Sequence, residues 1–353
     1  MEINAVLDRH VLAKSGLWYV LSPENEGPSA RVGHTSCVLK TSASILKDCP
    51  VDSPNSDSLL IIGGANPDGA FDDVFVLDFE QYKWFKCHWQ GLPKRYEHSA
   101  FIPEHTSSEV VVYGGAQMDR NLNDVQVLDT DAKSWCLSVP SGEAPSQRTC
   151  HSAAAIGNRL FIFGGGQSGA KPVKDDKLYV YNAKENCWYQ PVVNGQSPKV
   201  RHGHVMIAVR DAIYVHGGMA GTEILGDLWK LITDDGEMSW SQPTVNGDIP
   251  SKRAAHAGCA VDGTLYLFGG MNETGALDDL YALNTETMLW QKIQCDGPPP
   301  HCRLDHTMSA VTVSRKVDDD EEKTVDQTFL VVFGGMDTSG QIFDDCLAFL
   351  VKE

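Results

Sequence analysis

"LFIFGG", residues 160–165, is a short apolar run closed by a glycine pair, and the same phrase returns five more times: "LLIIGG" (59–64), "VVVYGG" (110–115), "IYVHGG" (213–218), "LYLFGG" (265–270) and "LVVFGG" (330–335). The first glycines, 63, 114, 164, 217, 269 and 334, stand 51, 50, 53, 52 and 65 residues apart. A fixed period near 50 means one structural unit used six times. Consecutive apolar positions describe a strand covered on both faces. A glycine pair at its end supplies positive φ or lets another backbone come close.

Three further signals keep step with the first. Arg-x-x-His recurs at Arg31/His34, Arg95/His98, Arg148/His151, Arg201/His204, Arg253/His256 and Arg303/His306. Eleven to thirteen residues before each arginine lies a tryptophan: Trp18, Trp84, Trp135, Trp188, Trp240, Trp290. After each glycine pair comes an acidic step and another strand, as in "DDVFVLD" (72–78) and "DDLYALN" (278–284). Each unit therefore carries four strands: after Arg-x-x-His, before Gly-Gly, after the acids, and around tryptophan. One such sheet cannot bury both faces alone, whereas six stacked radially can, with only short edges left. The fold expected is all-β, a single six-bladed propeller over residues 16–353, with repeats starting near 31, 95, 148, 201, 253 and 303.

Counted from Arg31, five repeats are complete, but the sixth ends in "FDDCLAFLVKE" without its tryptophan strand. "GLWYVLS" (16–22) is the missing strand, so the two ends of the chain should close the ring together. Residues 1–15 are then an N-terminal extension. Between histidine and glycine pair, the first and last repeats span 29 and 28 residues against 13 to 16 elsewhere. The additions, 41–58 and 315–327, are polar and read as flexible loops emerging side by side.

The formal charge of −18 argues against nucleic acid and against docking directly on anionic lipid. No apolar run approaches the roughly 20 residues a membrane helix needs, and the start lacks a signal-peptide core. Ten cysteines without one C-x-x-C pair suggest reduced thiols rather than zinc or disulfides. A cytoplasmic protein is expected, monomeric, with no direct membrane insertion.

The six Arg/His pairs could suggest an anion or metal site, but a feature present once per blade is there to build the blade. His202 is an extra histidine near them, and one ligand makes no site. His216 replaces the phenylalanine of "LFIFGG" and reads as a buried strand residue. "GGGQSGAK" (164–171) lacks the Walker pattern. No catalytic residue, metal or cofactor is expected.

What differs between blades carries more information. After the glycine pair stand Ala65, Ala116 and Gly166, then Met219, Met271 and Met336. Methionine fills gaps in packing, and it also makes soft surfaces for protein partners. The loops that follow differ in every blade, and variable loops on a rigid scaffold are where recognition lives. Met219, Met271, Met336, Asp68, Arg120, Glu223, Glu273 and Asp337 are the candidate partner contacts. The acidic run 318–322 could dock a basic partner or simply be solvated.

The coincident signals resemble kelch repeats over residues 16–350. The wording "ARVGHTS", "IIGGANPDGAFDDV", "RYEHSAFIPE", "SAAAIGNRLFIFGGG", "RLDHTM" and "VVFGGMDTSGQIFDDC" is similar to the Rab GTPase effectors with kelch motifs. That resemblance implies a non-catalytic partner of a GTP-bound late-endosomal Rab GTPase. It also implies peripheral association with endosomal membranes and a part in returning mannose-6-phosphate receptors to the trans-Golgi network. It transfers no binding residue, since the matching positions build the blades. A general kelch scaffold, a ubiquitin-ligase substrate receptor and an actin-bundling protein remain the alternatives.

Overall fold

A computed structural model describes residues 4–9, 11–40, 55–106, 108–130, 132–168, 171–234, 237–316 and 324–353. Strands dominate it, gathered into six antiparallel sheets arranged as the blades of a propeller. Blade four shows the pattern: Val205–Val209, Ala212–His216, Leu228–Ile232 and Met238–Ser241 pair in chain order from axis to rim. The second strands are enclosed on both faces, as their unbroken apolar runs require; Leu60, Ile61 and Ile62 expose no surface.

Tryptophan marks the fourth strand because it reaches across to the preceding blade. Trp84 meets Phe333, Trp188 meets Tyr113, Trp240 meets Phe163 and Trp290 meets His216, with ring centroids 4.9–5.9 Å apart. Each partner is the residue just before a glycine pair, so two of the four periodic signals are halves of one contact.

The outer edge of each fourth strand is also covered. The connection arriving from the blade before adds a short parallel stretch, as Val193–Asn194 does on Met238–Ser239 and Asn246–Gly247 on Leu289–Trp290. Single bridges do the same at Glu24–Lys83, Gln90–Ser134 and Ser141–Cys187. These short additions blunt edges that would otherwise invite pairing with other chains.

Trp18–Leu21 completes blade six, antiparallel to Cys346–Phe349 in the register Trp18 to Phe349. Trp18 is 2% exposed and packs 4.9 Å from Phe268 of blade five and 5.1 Å from Phe349. The segment before it, set apart in the sequence as an extension, joins the same sheet: Ala5–Leu7 runs parallel to Tyr19–Leu21 and covers the edge.

The expectation of a polar loop over 315–327 needs correcting at both ends. Thr307–Lys316 and Thr324–Phe333 form one long hairpin, with Arg315 opposite Val325 and Val313 opposite Gln327. Arg315 and Gln327 are buried because the N-terminal segment uses their polar groups. Arg315 donates to the carbonyls of Asp8 and Val11 at 2.7 and 2.8 Å, and the Gln327 amide exchanges two 3.0 Å hydrogen bonds with Ala13. Backbone groups with no strand partner recruit them, a need invisible in local polarity. Residues 41–54 and 317–323, with the acidic run 318–322, lie outside the described residues. The described end of the first insertion meets the strand that leads into the second: Asp57 N–H donates to Thr312 O at 2.9 Å and Ser314 Oγ to Asn55 O at 2.8 Å.

Closure by Trp18 makes a stability prediction. Trp18→Ala should cost about 3–5 kcal/mol, read from the urea midpoint, by leaving a void between blades five and six. Val192→Ala, at a side chain 87% exposed, should change it by less than about 0.5 kcal/mol. Equal effects would mean that the ring does not depend on this strand.

Candidate interaction surface

The periodic arginines are completely buried, and each finds the aspartate of its own blade's acidic step. Arg31–Asp73, Arg95–Asp124, Arg148–Asp175, Arg201–Asp227, Arg253–Asp279 and Arg303–Asp345 pair at 2.6–3.0 Å. Every guanidinium also donates to the carbonyl of the first glycine of its pair, at 2.9–3.1 Å. Burial works against the ionised carboxylates of Asp124 and Asp227, yet Arg95 and Arg201 hold both below the usual range. With no exposed surface, these arginines present no donor to a ligand.

Their backbone joins the blades. At five of the six joints the second glycine of one blade donates to the arginine carbonyl of the next: Gly64–Arg95, Gly165–Arg201, Gly218–Arg253, Gly270–Arg303 and Gly335–Arg31, at 2.8–2.9 Å. The first glycine is required by both conformation and contact. At Gly217, with φ +65°, a Cβ would lie 2.5 Å from the Arg253 carbonyl and 3.0 Å from the His256 ring.

Each histidine packs on the preceding blade. Nε2 of His34, His98 and His151 meets Thr307, Thr35 and Ser99 hydroxyls at 2.9–3.0 Å, and His256 Nε2 meets His216 Nδ1 at 3.0 Å. His216 is 1% exposed in its strand, as its place in the repeat requires. Burial lowers His34, His151 and His216 to about 3 and lowers His98, His204, His256 and His306 well below the ordinary value. All are neutral imidazoles at physiological pH.

Between arginine and histidine, the second intervening residue turns toward the axis with φ between +46° and +62°: Gly33, Glu97, Cys150, Gly203, Ala255 and Asp305. Their amides form a chain around the axis. Glu97 N–H donates to Gly33 O, Gly33 to Asp305, Asp305 to Ala255, Ala255 to Gly203 and Gly203 to Cys150.

This ring stands at the mouth of an axial cavity of about 290 Å³. Blades four to six supply its apolar side through Met219, Met271, Ala254, Ala255 and Leu304. Glu97 and Asp305 supply carboxylates, and the cavity wall includes no lysine or arginine. Cys150 Sγ donates to Glu97 Oε2 at 3.1 Å. Asp305 is exposed to solvent, yet the protein atoms crowded around it and the Glu97 charge push its carboxyl up to about 7. Among the described residues no three acidic, histidine or cysteine side chains are placed to hold a metal ion.

The candidate contacts from the sequence divide in two. Met219 and Met271 line the cavity, each half-buried and paired through its backbone with His202 or Ala254. Met336 holds the equivalent backbone position opposite Leu304 but lies outside the cavity wall. Asp68, Arg120, Glu223 and Glu273 are exposed on the loops beyond. Glu223 is paired with Lys199 at 2.5 Å, and Arg120 donates to Gln117 at 2.9 Å. Asp337 accepts bonds from Ser339 and Gln341 that hold its carboxyl low and shape its own loop. Sequence reasoning missed Glu97, Cys150 and Asp305. The signal was available at the third position of Arg-x-x-His, where the other repeats carry glycine or alanine.

Six blades, joined by Arg-x-x-His and glycine pairs around a common axis, define a kelch-type propeller. The chain belongs to the kelch-repeat family: a family model described as the KLHDC2/KLHL20/DRC7 Kelch-repeats domain matches residues 53–237 and 232–317. Among curated relatives, the Rab9 effector protein with kelch motifs of Mus musculus is 37% identical over 369 residues, covering 96% of this chain and 94% of its own. The protein of the same name from Rattus norvegicus is 36% identical, with 96% of both chains covered. That from Xenopus laevis is 41% identical over 230 residues, covering 65% of this chain and 60% of its own.

The buried imidazoles predict acid sensitivity of a definite sign. They stay neutral when folded but protonate below about 6.5 when unfolded, so the unfolded chain binds more protons. Stability is complete above that value and falls as the pH drops toward 4. His306→Asn should flatten the fall between pH 5.5 and 4.5 by about 1.4 kcal/mol per pH unit, measured by urea unfolding. An unchanged slope would mean that His306 protonates freely in the folded protein.

Proposed function

We propose that this chain is a Rab effector that recognises the GTP-bound form of a late-endosomal Rab GTPase through the loop-rich face around its axial cavity. The observation that carries this reading is the 37% identity extending over 96% of the chain to a relative named as a Rab9 effector. In this role the protein is held at endosomal membranes only through its partner, in transport from late endosomes to the trans-Golgi network. Among the described residues no helix is long and apolar enough to cross a membrane.

A Rab changes shape with its nucleotide in loops ordered by the γ-phosphate. Reading that change calls for a surface that does not itself adapt. The closed propeller supplies it, because every loop on this face hangs from blades locked to both neighbours. Half-buried Met219 and Met271 offer apolar anchors, with Met336 alongside; Asp68, Arg120, Glu223, Glu273 and Asp337 form the polar rim. The second reading is a general kelch scaffold or substrate receptor of a ubiquitin ligase, favoured by a family-model match that is to kelch repeats alone.

Calorimetry of the purified chain against a late-endosomal Rab separates them. The Rab loaded with a non-hydrolysable GTP analogue should bind at least tenfold tighter than the GDP form, a discrimination of about 1.4 kcal/mol. Met219→Ala with Met271→Ala should weaken that binding about tenfold. Equal binding of both nucleotide forms, or none, would favour the scaffold.

A further inference from the structure

We propose that the axial cavity is a socket for one basic side chain, a lysine or arginine, presented by a protein partner. Among the described residues, the charged groups of the wall are carboxylates, set against apolar surface. Glu97 and Asp305 contribute carboxylate oxygens, and no cationic side chain lines the cavity to neutralise them. A cleft carrying one sign of charge between low-dielectric walls concentrates its field on whatever enters.

The guest must donate. An ammonium or guanidinium group brings only donors, so it matches the two carboxylates. His204 and His306 also border the cavity, but their ring nitrogens are buried away from it, and each ring turns toward a strand carbonyl, that of Phe163 or Phe268.

The opposite side fits the rest of such a residue. Met219, Met271 and Leu304 can lie along the methylene stem that lysine and arginine bury while the charged head reaches polar groups. About 290 Å³ leaves room for one long side chain with a few waters, at roughly 30 Å³ each. The opening lies among the interblade loops, where a partner's surface would lie across it.

Asp305 then has a task. Alone, its carboxyl is pushed up to about 7 by the protein atoms crowded around it and by Glu97. A cation in the socket favours the ionised form, so the socket should hold its guest more tightly as pH rises from 6 to 8. The groups facing it are Glu97, Cys150, His202 and the six ring histidines. The ring histidines stay neutral through that interval.

The test uses the full chain with methionine methyl groups labelled for NMR and Nα-acetyl-arginine amide as probe, against its neutral citrulline counterpart. The expected result is saturable shifts at Met219 and Met271 with the arginine probe only, while Met118, 72% exposed elsewhere, stays put. Glu97→Gln with Asp305→Asn should weaken the probe at least tenfold. Asparagine tolerates the left-handed backbone there, and the remaining methyl signals report whether the fold is kept. Asp305→Asn alone should remove the tightening between pH 6 and 8, which decides the matter if the double variant fails to fold.

Equal response to citrulline, no response, or unchanged binding by the variants would overturn the socket. Spermidine binding more tightly than the arginine probe would make the guest a free polyamine and overturn the assignment to a protein partner. This inference goes beyond the effector reading, and no Rab is present in the experiment, so either can fail alone.

Discussion

Six guanidinium groups without exposed surface hold this molecule together, and everything near the axis is arranged so that they can stay there. Burying a cation carries a desolvation penalty that one carboxylate rarely outweighs by much. Each arginine therefore also takes the glycine carbonyl of its own blade and a carbonyl two residues back in its own loop. The net stabilisation from such a site is small, but its removal would strand a buried aspartate or guanidinium. The consequence is geometric: the arginine loop has one place to sit, and its own carbonyl is then fixed where the glycine of the preceding blade can donate to it. Blade position follows from side-chain chemistry more than from strand pairing, since among the described residues the pairing between blades is limited to two-residue parallel stretches and single bridges.

That arrangement explains why so much of the fold was legible in the sequence. Arg-x-x-His, Gly-Gly, the acid and the tryptophan are one interblade joint viewed from four places in the chain, so they must keep a common period. The absent sixth tryptophan strand was equally readable, because a joint with a missing half has to be supplied from elsewhere. The burial of His216 followed from position alone.

The parts not legible are those where no joint is involved. Ala5–Leu7 is three residues long, with two of them exposed, and its pairing is imposed by an edge that needs covering. Arg315 and Gln327 look like loop residues because their partners are carbonyls and an amide some 300 positions away. In both cases the cause is tertiary, and period-2 or composition reasoning has nothing to detect. The axial carboxylates escaped for the opposite reason, since they sit inside a motif already explained by its arginine and histidine.

Function in a repeat structure resides where equivalent positions stop being equivalent. The third residue of Arg-x-x-His has the same left-handed backbone in all six blades, a conformation for which glycine is the least strained choice. Glycine occupies it twice and alanine once. Glutamate, cysteine and aspartate at Glu97, Cys150 and Asp305 accept strain that the fold does not demand, and two of them place like charges around a narrow axis. The same asymmetry appears in the residues after the glycine pairs, where Ala65, Ala116 and Gly166 give way to methionine in blades four to six. A joint repeated six times leaves the scaffold symmetric, and these substitutions give its axis a charged side and an apolar one. Strain and repulsion that add nothing to stability are best understood as the cost of recognising something else.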